Sequence, residues 1–223
     1  MAGGRGLTGG WGPASSALPY FVSLSPVSDR RASRHQATRQ QIIDAAWALA
    51  RERGLTGWTL REVADAVGMR APSLYVYFEH KDAIYDAMFA QGYAQLLEAI
   101  DATPTTGEPL RVLRRVARTF LAFCVADQAR FQLLFLRVLP GFTPSPESYA
   151  LAEEVLDRLR RMLADAGIRG RRSVDLWTAL MTGLAAQQLS NDPGGDRWTR
   201  LANRAVEMFL ASELPERDAA SRG

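Results

Sequence analysis

Residues 59–78 read TLREVADAVGMRAPSLYVYF, and the interpretation of the whole chain starts from this stretch. It predicts two short helices joined by a tight turn. Thr59 and Glu62 have the spacing of a capping box, in which each side chain accepts a hydrogen bond from the other residue's backbone N–H. Gly68 is expected to end the first helix in a left-handed conformation, and Pro72 suits the first turn of the second.

The apolar residues of this stretch predict how the two helices pack. Small Ala64 allows a close crossing of the helices, and Leu74 and Phe78, four residues apart, face inward. This spacing is typical of a helix-turn-helix. The exposed side of the second helix then carries groups that can donate to phosphates and base edges, namely Arg70, Ser73, Tyr75 and Tyr77, with Lys81 just beyond.

An ordinary helical hairpin would show the same turn and the same core spacing. The outward face favours DNA binding, because it has no acidic residue before Glu79. Charge is also concentrated around the stretch: residues 30–81 hold nine Arg or Lys against five Asp or Glu, a net of +4, while the whole chain of 223 residues carries +3. A local basic surface of this kind is what DNA binding requires.

The rest of the chain is predicted to be helical, with no segment that alternates apolar and polar residues long enough to form a strand. The first long helix is expected to open at Thr38, with Gln41 as its capping partner. The predicted domains are a disordered arm at 1–35, a helix-turn-helix domain at 36–82, a larger helical domain at 83–213 and a disordered tail at 214–223. Further helices are predicted at about 81–101, 110–126, 128–138, 146–167, 173–190 and 196–211.

Other function classes find little support in the residues. The run at 4–9 matches G-x-G-x-x-G by letter, but no strand precedes it and no βαβ pattern follows. No hydrolase, P-loop or metalloprotease motif is present, and the single cysteine, Cys124, is expected to be a buried small hydrophobe. No stretch of 18 apolar residues could span a membrane, and the N-terminus is a poor signal peptide. We therefore expect a cytoplasmic protein that is not an enzyme and holds no cofactor or metal.

The motif, its supporting helix and the following K-D-A-I segment together resemble the N-terminal domain of TetR-family transcriptional regulators. The resemblance spans roughly Thr38 to Ala90, and its most specific part is L-Y-x-Y-F at 74–78 followed by Lys81. It implies an all-α homodimer, in which a three-helix DNA-binding domain precedes a larger helical domain for ligand binding and dimerisation.

The resemblance also implies roles for individual residues of the motif. Contacts to phosphates are assigned to Thr59, Tyr75, Tyr77 and Lys81. Insertion into the major groove is assigned to Arg70, Ala71, Pro72 and Ser73, and Arg61 completes the predicted DNA-binding set. Arg70 is the best candidate to read a base, since a guanidinium can contact guanine O6 and N7 together; a phosphate contact is its alternative role.

For the second domain the resemblance implies an apolar effector pocket and a two-fold interface between the last two helices. The pocket candidates are Phe120, Phe123, Phe131, Phe135, Met162 and Trp177. The interface candidates are Leu180, Leu184, Trp198, Leu201, Ala205 and Phe209, with Trp177 also placed on that face. Any one of these side chains could instead belong simply to the core.

The sequence therefore predicts a dimeric repressor that binds a palindromic operator and is released by a small apolar effector. Two alternatives stay open at this point. The chain could be a transcriptional activator of the same fold, because contact with DNA does not set the sign of regulation. It could also be a helical protein-interaction module that does not bind DNA.

Overall fold

The computed structural model describes residues 26–214, and every regular element within them is helical. A 3-10 turn at Thr199–Leu201 precedes the last helix. The helices are α1 (Pro26–Arg53), α2 (Leu60–Ala66), α3 (Ala71–Leu74), α4 (Lys81–Asp101), α5 (Pro109–Val125), α6 (Gln128–Phe135), α7 (Pro146–Asp165), α8 (Arg171–Asn191) and α9 (Ala202–Glu213). The all-α prediction is confirmed. The glycine-rich run at 4–9, the rest of the predicted arm up to residue 25, and the predicted tail from 215 lie outside the described residues.

Helix α1 begins twelve residues earlier than predicted, at Pro26 rather than Thr38. The expected cap was wrong: the Thr38 hydroxyl donates to the carbonyl of Arg34 at 3.0 Å, which is a bond of a helix interior. Residues 30–41 contain no glycine or proline that would interrupt the helix on the N-terminal side of Thr38. The helix begins at Pro26, because the missing N–H of proline is harmless in a first turn. Residues 26–35 are therefore helical and not part of a disordered arm.

The first three helices form a compact head around fully buried side chains. Ala64 and Leu74 have no exposed surface, and Phe78 is also buried, as the spacing predicted. Gly68 has φ = 71° and ends the first helix of the motif, where a side chain would be strained. Helix α3 is shorter than expected, and the chain from Tyr75 to Phe78 continues as turns held by the carbonyl of Leu74.

Helix α4 joins this head to the rest of the chain. Its buried residues reach from Ile84, beside the head, to Ile100 at the far end. One hydrophobic cluster contains head residues such as Trp47 together with Phe131 of α6 and Ala185 of α8. The head is thus packed onto the helical body and is not carried on a loose linker.

The body consists of α5 to α9 packed around the C-terminal part of α4, with a second cluster centred on Trp177. Helix α6 ends at Phe135, three residues before its predicted end, because Leu136 takes an extended conformation and Pro140 disfavours helix before it. Gly92 allows α4 and α6 to approach closely, since a Cβ there would lie 3.0 Å from Leu134. None of the described helices combines the length and apolar composition needed to span a bilayer.

Candidate nucleic-acid interface and ligand cavity

The capping box at the start of α2 is present as predicted. Glu62 N donates to the Thr59 hydroxyl oxygen at 3.3 Å, and Thr59 N donates to Glu62 Oε2 at 2.8 Å. The Thr59 hydroxyl also lies 2.8 Å from Glu62 Oε2 and donates to it. These hydrogen bonds from Thr59, with the nearby Arg53 guanidinium, lower the pKa of the Glu62 carboxyl. The hydroxyl predicted to bind a phosphate is therefore already used within the protein.

Helix α3 presents a short outward face to solvent. Arg70, at its N-cap, has an extended backbone, and its side chain is exposed. Pro72 and Ser73 are exposed, while Ala71 is half-buried. Tyr75 is 54% exposed, so its ring lies beside the helix and not under it. The predicted contact residues that are exposed here are therefore Arg70, Pro72, Ser73 and Tyr75, and the exposed surface also includes Val76.

Tyr77 lies between this surface and α1. Its ring stacks on His35 with 4.8 Å between ring centroids, and its carbonyl accepts a hydrogen bond from Arg39. The Arg39 guanidinium carbon lies 4.1 Å from the centre of the Phe78 ring. The extra length of α1 is the feature that brings His35 to Tyr77.

Lys81 is turned toward the loop between α1 and α2. Its Nζ donates to the carbonyl of Trp58 at 2.6 Å and lies 4.2 Å from the centre of the indole ring. Partial burial lowers the pKa of the Lys81 ammonium. Arg61 on α2 is 83% exposed, and its ion pair with Asp65 is long, at 3.9 Å. Arg61 is therefore more accessible to a partner than Lys81.

An apolar cavity of about 830 Å³ lies among α4, α5, α6, α7 and α8. Of the predicted pocket residues, Phe120, Phe135, Met162 and Trp177 line it, whereas Phe123 and Phe131 do not. Phe123 faces Arg130, whose guanidinium carbon is 3.8 Å from its ring centre, and Phe131 is 2% exposed within the core.

Several cavity residues were missed by the sequence reading. Helix α4 contributes Phe89 and Tyr93, and the segment before α7 contributes Phe142. The Tyr93 hydroxyl donates to the carbonyl of Leu134 at 3.1 Å, and burial raises the pKa of this phenol. Their apolar character marks them as buried residues, but only the arrangement of the helices separates a cavity wall from solid core.

A family model described as bacterial regulatory proteins of the tetR family matches residues 42–88. This segment includes the packed half of α1, the two helices of the motif and the start of α4. This part of the chain matches the TetR family. The resemblance seen in the motif residues is therefore confirmed.

Curated relatives of this chain are named as transcriptional regulators. The HTH-type transcriptional repressor KstR2 of Mycobacterium tuberculosis is 33% identical over 88 residues, which are 39% of this chain and 44% of KstR2. The chain thus spans less than half the length of that relative. The HTH-type transcriptional regulator Rv1816 of the same species is 25% identical over 184 residues, 77% of this chain and 76% of Rv1816.

The fold of this chain also occurs in solved structures. The transcriptional regulator FadR from Bacillus subtilis, in complex with stearoyl-CoA, superposes with a TM-score of 0.61 at 19% identity. The match covers 77% of this chain and 97% of FadR. At this level of identity the similarity shows a common fold.

Two of the predicted interface residues are buried within the protomer. Ala205 is 7% exposed and Phe209 2% exposed, and the Phe209 ring packs edge-on against Trp177 at 5.3 Å within the same protomer. They belong to the protomer's own core, so they offer little surface to a second chain. The other four candidates, Leu180, Leu184, Trp198 and Leu201, are half-buried or exposed.

Exposed apolar residues occur on α8 and at the start and middle of the last helical segment. On α8 it is a stripe at i, i+3, i+4 and i+7 that ends at Gly183, where an added Cβ would meet no atom within 4 Å. Leu201, in the 3-10 turn before α9, is 38% exposed, and Met208 on α9 is 62% exposed. The α8 stripe consists of Leu176, Ala179, Leu180 and Gly183.

Contacts also connect the cavity with the head. Asp127 caps α6 by accepting from Arg130 N at 3.0 Å, and it pairs with Arg51 of α1 at 2.8 Å. On α4, the Tyr85 hydroxyl donates to the carbonyl of Leu55 in the head. The Tyr85 ring lies 5.8 Å from Phe142, a cavity residue. Elements that line the cavity therefore touch the head at two separate points.

Proposed function

We propose that this TetR-family chain is a ligand-responsive transcriptional repressor. As a dimer it binds a palindromic operator, and a small apolar effector releases it. The observation that carries the proposal is the accessible face of α3, with Arg70, Ser73 and Tyr75 outside and Leu74 and Phe78 anchored in the core. The name of KstR2, a repressor, supports the sign of regulation.

In the proposed complex the N-terminal end of α3 enters the major groove. The Arg70 side chain makes no hydrogen bond or ion pair within the described residues, so its donors are available for a guanine edge. Ala71, Pro72 and Ser73 follow it in the groove, while Tyr75 and Tyr77 contact phosphates on the flank. Thr59 and Lys81 contribute less, because each already donates within the head.

A binding experiment tests the DNA-reading role. A duplex is selected from a random pool with the full chain, and its affinity is measured by fluorescence anisotropy. We expect Arg70→Ala to weaken binding to the selected duplex by roughly 10- to 100-fold, the effect of losing one bidentate base contact, and to leave binding to random DNA little changed.

Arg171→Ala serves as the control, because this arginine is 93% exposed in α8, outside the head. Tyr75→Phe is expected to weaken binding to selected and random duplexes alike. Failure to select any duplex, or equal affinities for the wild type and Arg70→Ala, would overturn the assignment. The first result would favour the protein-interaction alternative.

The exposed stripe on α8 and its neighbours on α9 are the proposed dimer surface. Small residues at Ala179 and Gly183 let two helices approach closely, while Leu176 and Met208 supply apolar area to bury. A two-fold axis through this surface would place the two α3 helices on successive turns of the major groove, roughly 34 Å apart. This geometry is what matches the protein to a palindromic site.

The apolar cavity is the proposed effector site. Its volume of about 830 Å³ falls within the range of ~300–1,000 Å³ typical of ligand pockets. A ligand shifts the protein between two states only if it binds one of them better. The contacts of Asp127 with Arg51 and of Tyr85 with Leu55 would carry a change in α6 or α4 to the head.

A further inference from the structure

The apolar cavity has one charged residue on its wall. Arg137 follows α6, and no Asp or Glu lines the cavity with it. In the described part of the chain, its guanidinium forms no ion pair, hydrogen bond or ring contact. Eight other arginines of the body and head pair with carboxylates, but Arg70 and Arg161 are also unpaired in the described residues. The feature that requires an explanation is therefore the position of Arg137 on the wall of an apolar cavity.

The backbone holds Arg137 in place. Val138 N donates to the carbonyl of Leu136 at 2.9 Å, which closes a three-residue turn centred on the arginine. Leu136 before it and Tyr149 across the opening are 40% and 49% exposed, and both line the cavity. Arg137 is itself exposed, so it stands at the mouth while the interior wall is apolar.

We propose that the effector is an amphiphile with a single anionic head, a carboxylate or a phosphate, bound by Arg137 while its apolar body fills the cavity. This inference rests on the proposed effector site. A guanidinium presents paired donors that match the two oxygens of such a head group. The apolar wall beside it excludes water on one side and strengthens the attraction.

The cavity also explains why the anionic head group of the ligand stays at the cavity mouth. The interior polar groups are few, and the buried Tyr93 hydroxyl already donates to Leu134 at 3.1 Å. An anion pushed inside would lose its hydration without a partner, which is strongly unfavourable. An apolar chain placed there meets aromatic rings such as Phe89, Phe120 and Phe135.

A neighbouring cavity supplies the matched control. This polar cavity of about 560 Å³ shares Ile100 and Met162 with the apolar one and contains Arg161. Arg161 is exposed, and its side chain has no partner in the described residues. Arg161→Gln therefore removes the same charge as Arg137→Gln, but from the neighbouring polar cavity.

Calorimetry measures the binding of four probes of equal chain length to the full protein. Each probe is used below its critical micelle concentration. The probes are dodecanoate, dodecyl phosphate, dodecanol and dodecyltrimethylammonium. We expect one or both anions to bind about tenfold or more tightly than dodecanol, the effect of one charge-assisted contact at an exposed site, and the cation to bind most weakly. Comparison of the two anions identifies the head group.

The anionic probes should bind Arg137→Gln no more tightly than dodecanol does. Arg161→Gln should still bind the anionic probes more tightly than dodecanol. Thermal unfolding of both variants checks that the fold is unchanged. The inference is overturned if dodecanol binds as tightly as the anions, or if Arg137→Gln keeps the preference. If no probe binds at all, the proposed effector site itself is wrong and the inference falls with it.

Discussion

At the scale of single residues, the hydrogen bonds at the start of α2 organise the head. This helix has only seven residues, and such a short helix gains little from its own backbone. Thr59 and Glu62 satisfy each other's backbone N–H groups, and Glu62 also pairs with Arg53 of α1 at 2.7 Å. The cap therefore sets both where α2 begins and how it lies against α1.

We expect Thr59→Ala to lower the free energy of unfolding by about 1 kcal/mol, the usual cost of removing an N-cap hydroxyl. Thr56→Ala, an exposed threonine in the same loop, is the matched control and should have little effect. Urea denaturation of the three proteins at neutral pH measures the difference. Equal midpoints for the two variants would contradict the role of the cap.

The cap should also depend on pH. Hydrogen bonds from Thr59 hold the pKa of Glu62 below its ordinary value. A lowered pKa in the folded state means that the stabilisation is present above the ordinary glutamate pKa and is lost as the pH falls through the folded value. The stability difference between wild type and Glu62→Gln should therefore shrink in acid, as followed by thermal unfolding at a series of pH values. A difference that grows in acid would contradict this sign.

At the scale of elements, α1 departs most from the sequence reading. Its apolar stripe starts at Ile42, and residues 31–37 are all exposed, so no hydrophobic periodicity could reveal the first turns. In the structure these turns reach Tyr77 through His35. Arg31, one turn before His35, and Arg34 are exposed, and they extend the basic surface of the head beyond the matched family segment.

If this extension contacts the DNA backbone, its removal should change the salt dependence of binding. Each lost phosphate contact lowers the slope of log K against log salt by about 0.9. We expect the double variant Arg31→Ala, Arg34→Ala to lower the slope by up to roughly 2 and to weaken all duplexes alike. Arg171→Ala with Arg172→Ala, exposed at the start of α8, is the control. An unchanged slope would place the extension away from DNA.

At the scale of the whole molecule, the packing of the last helices decides which residues remain for a partner. Trp177 and Phe209 close the core of the protomer, and the outer stripe through Gly183 stays uncovered. The interface proposed from the structure therefore uses the exposed Met208 of α9 and not the buried Phe209. This proposed interface includes Leu180 and Leu201 from the sequence prediction and excludes the buried Ala205.

We expect Gly183→Arg to convert a dimer into a monomer, because a long charged side chain would enter the proposed interface. The protomer should stay folded, since an added Cβ meets none of its atoms within 4 Å. Ala150→Arg, at an exposed position on α7, makes the same charge change elsewhere. Analytical ultracentrifugation gives the oligomeric state, and a Gly183→Arg protein that sediments like the control would contradict the interface.

The sequence by itself determined the local features of this protein. The capping box at Thr59, the glycine turn at Gly68 and the inward positions of Leu74 and Phe78 depend on residues within a few positions of each other. Their backbone preferences and helical spacing act over one or two turns, so they can be read without knowing the fold. The exposed face of α3 follows directly from them.

The tertiary structure decided everything that depends on which helix faces which. Apolar periodicity predicts burial, but it does not separate Phe131 in the core from Phe135 on a cavity wall, nor Phe209 inside the protomer from Met208 outside it. Burial depends on distant segments, and a cavity exists only where several helices fail to meet. The engagement of Lys81 with Trp58 and the position of Arg137 at the cavity mouth are of this kind.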